Sequence, residues 1–340
     1  MKKKCLLTAF LVGCSMSMSF AHGMLQEAVT DTPARTVPHD DGEGNFKPSD
    51  LFASMQAGDK AALLMVHFGT TYDKTRQLTI DAINNKAKEA FKGIEVREAY
   101  TSRIIIRRLK TRGIEKLNPT EALKQLKADG FTHILIQSTN IIEGVEMESL
   151  RKDIASLEKE FKDIRIGNPL LYTPEDYENV IAAIVRKGAK EGATVLVGHG
   201  TYTPSTAQYA MTDYMLKAKG YTDYYVTTIE GYPTFDDMLA KLEAAKVKKV
   251  MLMPFMFVAG DHANNDIAID MKKELEDKGY EVSIFMQGLG QNIDIQNIFI
   301  EHAKFAAKHK MINITEKWSL TYDKEPTPEP SLTIKIDSPL

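Results

Sequence analysis

A buried strand that runs into a glycine-containing loop and then a helix occurs twice in this sequence, and this repetition restricts the fold more than any other feature. In the first half, the apolar run 61–66 leads into the loop 67–71, His-Phe-Gly-Thr-Thr. In the second half, the apolar run 194–197 leads into the loop 198–202, Gly-His-Gly-Thr-Tyr. An internal repeat of this kind predicts a duplicated structural unit.

Strand-like runs and amphipathic segments alternate through both halves. The further strand-like runs are 94–100, 133–137, 224–229, 248–254 and 281–286, and the amphipathic segments are 74–91, 119–128, 146–161, 175–190, 205–219, 234–245 and 264–278. Short buried strands separated by such helices are typical of parallel α/β layers. We therefore predict an α/β fold of two similar doubly wound lobes, 59–190 and 191–310, each with a parallel sheet. Ligands of such sheets bind beyond the carboxyl ends of the strands, so we expect the site in a cleft between the lobes.

The first residues have the pattern of an export signal. Three lysines precede the short apolar run 5–12, and the run 19–21, Ser-Phe-Ala, fits a small-x-small cleavage site. This pattern predicts a signal peptide over 1–21 and an exported, periplasmic protein. The alternative is a lipoprotein anchored through Cys14, because Leu-Val-Gly-Cys before and at that position resembles a bacterial lipobox. The other cysteine is Cys5, so we expect neither a disulfide nor a thiolate metal site in the mature chain.

Two segments lack the periodicity of the lobes. Residues 22–58 mix Asp, Pro, Gly, His and Thr, which predicts a flexible tether, and residues 311–340 form a C-terminal tail. The tail has a Pro/Glu spacer between two alternating runs, which favours a small β appendage or a docking tail.

Composition excludes two classes of protein. No apolar run approaches the ~20 residues of a membrane-spanning helix. The 43 basic and 46 acidic side chains give a net charge of −3, and without a basic stripe this argues against nucleic-acid binding. The sequence leaves open whether the chain forms a homo-oligomer.

Three strand-end loops of the second lobe each offer one metal-binding side chain: His199, Glu230 and His262. Because the carboxyl ends of neighbouring parallel strands meet at one edge of a sheet, these side chains are expected to converge. Two imidazoles and a carboxylate suit a divalent first-row ion such as Co²⁺, Fe²⁺ or Zn²⁺. Imidazole binds metals in its neutral form, so affinity should fall as the pH is lowered. The alternative for each residue taken alone is a structural role.

The first lobe offers different chemistry at the equivalent positions. Phe68 and Glu146 occupy two of them, so this lobe is not expected to bind a metal in the same way. Arg103, Arg107 and Arg108 follow its second strand and face either a polyanionic ligand or solvent. The sequence contains neither a Walker-type nor a dinucleotide-binding motif.

Five runs at the strand ends form a recognisable set of motifs. They are 68–70 (Phe-Gly-Thr), 100–103 (Tyr-Thr-Ser-Arg), 198–201 (Gly-His-Gly-Thr), 230–234 (Glu-Gly-Tyr-Pro-Thr) and 253–266 (Met-Pro-Phe-Met-Phe-Val-Ala-Gly-Asp-His-Ala-Asn-Asn-Asp). This set resembles the anaerobic-type cobalt chelatases of cobalamin biosynthesis, which are single-chain relatives of the ferrochelatase-type class II chelatases. The resemblance covers about residues 60–305. It implies two lobes that enclose a tetrapyrrole and a metal held by His199, Glu230 and His262.

The resemblance implies an activity: insertion of Co²⁺ into sirohydrochlorin, with the divalent metal as substrate and no nucleotide or redox cofactor. Fe²⁺, Ni²⁺ and Zn²⁺ are the alternative metals, and His199 is the expected base that also contacts the metal. Exported members exist in the family, in agreement with the N-terminal pattern. The alternative function is an exported protein derived from a chelatase that binds haem, another tetrapyrrole or the metal in iron or haem acquisition, with His67 as an added ligand.

The resemblance also places the first-lobe loops against the tetrapyrrole. Phe68, Thr70, Arg103 and Glu146 are therefore the candidate binding residues, and Arg103 with its neighbouring cations would bind the substrate's carboxylates. Two positions differ from the family pattern. His67 stands where serine is usual before Phe-Gly-Thr, and Asn-Ile-Ile-Glu-Gly at 140–144 replaces a His-Ile-Ile-Pro-Gly type segment.

Overall fold

Two parallel sheets organise the chain. The structure is a computed structural model that describes residues 45–260 and 263–322. The strands there, in chain order, are β1 Phe46–Pro48, β2 Ala61–His67, β3 Glu95–Tyr100, β4 His133–Ser138, β5 Asp163–Ile166, β6 Ala193–Gly200, β7 Tyr224–Glu230, β8 Lys249–Pro254, β9 Glu281–Ile284 and β10 His309–Met311. The sheets have the orders β3-β2-β4-β5 and β7-β6-β8-β9, and every pairing within them is parallel. The same order in both halves confirms the predicted α/β fold of two similar lobes.

Helices connect the strands and cover the sheets. In chain order they are α1 Asp73–Arg76, α2 Ala82–Ala90, α3 Arg103–Lys110, α4 Pro119–Ala128, α5 Val145–Leu157, α6 Pro174–Val185, α7 Ala207–Ala218, α8 Phe235–Ala244, α9 Lys272–Asp277, α10 Ile293–Lys308 and α11 Ile314–Tyr322. A π-helical segment, Gln77–Asp81, joins α1 to α2, and another, Ala263–Met271, leads into α9. None of the helices in the described ranges is long and apolar enough to cross a membrane.

Several helices begin where the sequence supplies a capping box. Asn118, Thr173 and Thr234 each accept a hydrogen bond from the third residue of the following helix, whose carboxylate bonds back to the cap. These reciprocal bonds satisfy amide groups that the first helical turn leaves unpaired. The Thr234 cap fixes the start of α8 five residues after Glu230, and with it the length of the loop that follows this predicted ligand.

Side chains of both sheets meet in one shared core. Leu63 and Met65 of β2 lie in it with Leu196 of β6 and Val226 of β7. The opposite faces of the sheets pack separately, the first against α4 and α5 and the second against α8 and α9. Strands buried on both faces explain why the strand-like runs are almost continuously apolar.

The last helix of the second half crosses to the first sheet. α10 packs against β4 and β5 and against α2 and α6. Its buried face includes Ile295, Phe299 and Ala303. The sequence pattern predicts neither this helix nor the short edge strand β5, in which the one buried side chain is Arg165 rather than an apolar residue. The two lobes are therefore packed into each other and are not separate bodies joined at residue 190.

Residues 45–58 correct part of the predicted tether. These residues pack against the lobes, because β1 pairs antiparallel with β10 and Leu51 lies in the shared core. Arg165 also donates hydrogen bonds to the backbone carbonyl of Ser49 and, at 3.0 Å, to its hydroxyl. A lone strand of three residues carries no periodic signal, so the sequence pattern missed it. The rest of the tether, 22–44, and the predicted signal peptide lie outside the described residues.

The helix α11 corrects part of the predicted tail. The alternating run 318–322 favours a strand, yet Ile314–Tyr322 is helical. Asn313 starts this helix by accepting a hydrogen bond from the Glu316 amide at 2.8 Å. The Glu316 carboxylate in turn pairs with Lys47 of β1 at 2.5 Å. Five alternating residues are too few to outweigh these contacts, and 323–340 lie outside the described residues.

Candidate functional site

Two of the three predicted metal ligands lie side by side at the edge of the second sheet. Gly200, the last residue of β6, is opposite Glu230, the last residue of β7, in the parallel register. This pairing brings Nδ1 of His199 to 3.5 Å from Oε1 of Glu230. The two side chains are 39% and 51% exposed, so an ion can reach both of them from solvent.

The two residues beside His199 must be glycines, because neighbouring atoms leave no room for a Cβ at either position. Gly200 has a φ of +85°, and a Cβ there would lie 1.6 Å from the carbonyl oxygen of Glu230. A Cβ on Gly198 would lie 2.3 Å from the ring of Tyr209, which is buried against it. The glycines therefore permit the close approach of β6 to β7 and to α7 that sets the position of His199.

The third predicted ligand, His262, lies outside the described residues. Gly260, at the near side of that gap, lines the same cavity as His199. Its backbone lies next to Thr70 of the first lobe, since a Cβ there would be 3.7 Å from the threonine hydroxyl. Across 45–260 and 263–322, no three His, Cys, Asp or Glu side chains come together as a metal site.

A cavity of about 320 Å³ lies between the carboxyl ends of the two sheets. Its walls are mostly apolar, with a small number of polar side chains. The lining residues on the first-lobe side are His67, Phe68, Gly69, Thr70, Thr71, Ser102, Ile104, Ile105, Arg108, Thr139, Asn140, Ile141, Ile142 and Glu146, and those on the second-lobe side are His199, Gly200, Thr201, Tyr209, Phe255, Met256, Phe257, Val258 and Gly260. This is the predicted inter-lobe cleft.

The first-lobe candidates divide into two groups. Phe68, Thr70 and Glu146 line the cavity, whereas Arg103 is exposed on α3 and does not. Arg108, five residues further along α3, does line it. The arginine that lines the cavity is therefore Arg108, and not Arg103, the residue chosen from the sequence as the main anchor.

His67 lies in the first-lobe wall and is 1% exposed. Its Nδ1 is 3.0 Å from the Thr139 hydroxyl and its Nε2 is 3.0 Å from the side-chain oxygen of Asn84. Burial lowers the pKa of His67 to about 4, so the ring is neutral at pH 7. Since both ring nitrogens are bonded to protein atoms, His67 is not placed to bind a metal as an added ligand.

Residues 61–308 match the model of the cobalt chelatase (CbiK) family. That range spans both sheets and the helices that cover them. The chain belongs to the CbiK family of cobalt chelatases.

The chain matches two curated relatives over most of their length. The chain is 35% identical to the sirohydrochlorin cobaltochelatase of Salmonella typhimurium over 251 residues, which are 72% of this chain and 95% of the relative. It is 29% identical to the sirohydrochlorin cobaltochelatase CbiKC of Nitratidesulfovibrio vulgaris, over 72% of this chain and 89% of that protein.

A solved structure shows the same fold at low sequence identity. The sirohydrochlorin chelatase SirB from Bacillus subtilis subspecies spizizenii, in complex with cobalt, superposes with a TM-score of 0.53 and 14% identity. The match covers 73% of this chain and 95% of SirB. The two-lobed architecture of this CbiK-family chain is therefore the chelatase fold.

Sequence reasoning missed some residues of this CbiK-family cleft. Tyr209 holds the Gly198 backbone, and nothing in the sequence links a residue inside α7 to that strand end. Asn84 bonds to His67 from α2, seventeen residues along the chain. Ile104 and Ile105 of α3 also line the cavity beside Arg108, and only the arginines of this helix were singled out from the sequence.

Proposed function

We propose that this chain is a sirohydrochlorin cobaltochelatase of cobalamin biosynthesis, which inserts Co²⁺ into the metal-free tetrapyrrole. The observation that carries the proposal is the pairing of His199 with Glu230 on the wall of the inter-lobe cavity in a CbiK-family fold. The names of the two curated relatives support the same substrate and metal. An acquisition protein that only binds haem has no comparable support.

In this proposal His199, Glu230 and His262 hold the cobalt ion before insertion. Imidazole nitrogens and a carboxylate oxygen replace part of the ion's water shell and leave positions open to the macrocycle. Insertion breaks two pyrrole N–H bonds, and the two protons leave as the dianionic macrocycle binds Co²⁺. His199 is the proposed acceptor of one of these protons once the ion has moved to the ring.

The apolar cavity walls suit the flat face of a tetrapyrrole. A volume of about 320 Å³ is near the lower end of the usual range for small-molecule sites, about 300–1,000 Å³, so the edge of the macrocycle would extend past the mouth. There the cations of α3, Arg103 and Arg108, are proposed to bind its carboxylates. Phe68, Thr70 and Glu146 would contact the ring from the first-lobe side.

The test is a metallation assay with purified protein, sirohydrochlorin and Co²⁺, followed by the change in the tetrapyrrole absorption spectrum. We expect rapid conversion by the wild type and a loss of at least about 100-fold in His199→Ala, as removal of a metal ligand predicts. The matched control is His309→Gln, since His309 lies in β10 and bonds only to the carbonyl of Phe305 among the contacts described for it. Failure of the wild type to metallate sirohydrochlorin would refute the proposal.

The same assay tests the metal. A site of two imidazoles and a carboxylate accepts several first-row ions, so Fe²⁺, Ni²⁺ and Zn²⁺ are compared with Co²⁺ in parallel. We propose Co²⁺ as the preferred substrate. Faster insertion of another of these ions would replace cobalt in the proposal without changing the class of reaction.

We also propose that the protein is exported to the periplasm after cleavage behind Ala21, with lipid attachment at Cys14 as the alternative. The lysines, apolar run and small residues of 1–21 support this proposal. Mass spectrometry of the mature N-terminus distinguishes the outcomes. A mature chain that begins at residue 22 supports cleavage, a lipidated Cys14 supports anchoring, and an intact Met1 contradicts export.

A further inference from the structure

The first-lobe wall of the cavity contains a hydrogen-bonded chain that runs inward from Lys116. Lys116 pairs with Glu98 of β3, and Glu98 accepts a hydrogen bond from the side-chain amide of Asn84 at 2.8 Å. Asn84 contacts His67, and His67 contacts Thr139. Three secondary-structure elements, β3, α2 and β2, and two connecting loops are thus linked through His67 and Thr139, which lie at the cavity.

This chain fixes the proton on His67. Burial opposes ionisation of Glu98, but the hydrogen bonds from Lys116 and Asn84 outweigh it and lower its pKa, so the carboxylate is ionised. An ionised carboxylate only accepts, so the amide nitrogen of Asn84 faces Glu98 and its oxygen faces His67. Nε2 of the neutral His67 ring therefore carries the proton and donates it to Asn84.

The tautomer of His67 decides the direction of the next hydrogen bond. With the proton on Nε2, Nδ1 is an acceptor, so the Thr139 hydroxyl donates to it across 3.0 Å. The other acceptor within reach of that hydroxyl, the Val66 carbonyl, is further away at 3.4 Å. A hydroxyl has one hydrogen, so the remaining capacity of the Thr139 oxygen is to accept hydrogen bonds.

Thr139 and His67 line the cavity from the first sheet, and His199 lines it from the second. We propose that His67 is a positioning residue that makes the Thr139 hydroxyl an acceptor for the pyrrole N–H groups of the metal-free tetrapyrrole. The inference rests on the proposed function, since it concerns how the same cleft recognises its substrate.

The contact distinguishes substrate from product. A metal-free macrocycle has inner N–H donors, which tilt out of the ring plane when the ring is distorted, whereas the metallated product has none. The Thr139 oxygen thus gains a hydrogen bond from the substrate that the product cannot make. The wall opposite the metal ligands favours binding of the free base and release of the cobalt complex.

The test measures binding without turnover, by fluorescence titration of the protein with sirohydrochlorin and separately with cobalt-sirohydrochlorin. Thr139→Val removes the hydroxyl and keeps the shape of the side chain. We expect its dissociation constant to rise roughly fivefold for sirohydrochlorin, the size of one lost hydrogen bond, and to stay unchanged for the cobalt complex. The matched control is Thr212→Val, because Thr212 is also buried but bonds within α7, away from the cavity.

His67→Phe tests the positioning role itself. It removes the acceptor that holds the Thr139 hydroxyl hydrogen away from the cavity, so that hydrogen can turn towards the macrocycle and oppose its N–H groups. The variant should therefore reproduce the selective loss of sirohydrochlorin binding, and combining it with Thr139→Val should add no further loss. Equal weakening of both ligands in Thr139→Val, or no weakening of either, overturns the inference. These binding ratios need no metallation, so failure of the inference is separable from failure of the proposed activity in the wild-type assay.

Discussion

The position of His199 depends on two residues that have no side chain. Gly200 lets β6 pass within contact of the Glu230 carbonyl, and Gly198 lets the Tyr209 ring pack against the strand. The imidazole and the carboxylate meet because the backbones beneath them are unusually close. The chemistry of the site is therefore sensitive to changes that do not touch either functional side chain.

Gly200→Ala should disrupt the site through its backbone. Its Cβ would overlap the Glu230 carbonyl oxygen at a φ of +85°, so we expect a loss of roughly 3 kcal/mol in the free energy of unfolding and of cobalt binding. Gly220→Ala is the matched control, because Gly220 has a φ of +87° with nothing within 4 Å and should lose only about 1 kcal/mol. Urea unfolding and cobalt titration measure both, and equal effects of the two changes would contradict the clash.

His67 should make stability depend on pH. The folded protein keeps the ring neutral down to a pKa of about 4, whereas the ordinary pKa of 6.5 applies when unfolded. Between these values the unfolded chain binds the extra proton, so the free energy of unfolding falls as the pH is lowered. From pH 7 to pH 5 we expect the loss to be roughly 2 kcal/mol larger in the wild type than in His67→Gln. Urea unfolding at both pH values gives the comparison, and parallel pH profiles would be the contrary result.

The sequence could predict that His199 and Glu230 lie close together, but it could not predict the contacts of His67 in the first-lobe wall, for a physical reason. His199 and Glu230 follow consecutive strands, and parallel pairing brings such strand ends together whatever the rest of the fold does. The contacts of His67 depend instead on how α2 lies over β3 and on the exit of β4. Those arrangements are set by side-chain packing, which has no sequence period.

At the scale of secondary structure, prediction succeeded where an element buries an apolar face. The strands of both sheets except β5, and the helices up to α9 except α3, were predicted from their periodicity. β1 and β5 were missed because polar contacts to distant parts of the chain hold them: β1 pairs with β10, and Arg165 of β5 donates to the carbonyls of Ser49 and Ala306. Their stabilising interactions lie far away in sequence and leave no local pattern.

Arg165 should be a major source of stability for these peripheral strands. It is 5% exposed, it pairs with Asp163 at 2.7 Å, and it also donates to Ser49. Arg165→Leu leaves the half-buried Asp163 carboxylate and the Ser49 carbonyl without this partner, so we expect a loss of about 3 kcal/mol in the free energy of unfolding and faster proteolysis near residue 50.

The control for Arg165→Leu is another arginine in an ion pair. Arg186 bonds to Asp294 at 2.6 Å, but its side chain is 62% exposed, and Arg186→Leu should cost less than about 1 kcal/mol. Denaturant unfolding and limited trypsin digestion measure both variants. Similar losses in the two would show that the buried position of Arg165 has no special effect.

At the scale of the whole molecule, the sequence shows that the lobe is duplicated but does not show that the two lobes share a core. The same order of strand, loop and helix occurs in both halves of the sequence, so two similar lobes could be predicted. The shared core could not, because it combines strands of both sheets with α10, which crosses from one half to the other. All the described residues accordingly belong to one compact unit.

Shared packing predicts a single unfolding transition. Leu123→Ala empties part of the core outside the first sheet and Leu242→Ala does so outside the second, and each should cost about 2–5 kcal/mol. If the lobes are one cooperative unit, each change shifts the whole transition, followed by circular dichroism and calorimetry. Two transitions, of which each variant shifts only one, would indicate independent lobes.

The pairing of β1 with β10 also limits when the chain can complete its folding. Phe46 lies opposite Met311, so β1, which is synthesised early, cannot pair until β10 has been synthesised. The fold cannot close while the later part of the chain is still being synthesised. Arg165 bonds to Ser49 and to the carbonyls of Ala306 and Ala307, so its full set of contacts also requires both ends of the fold to be present.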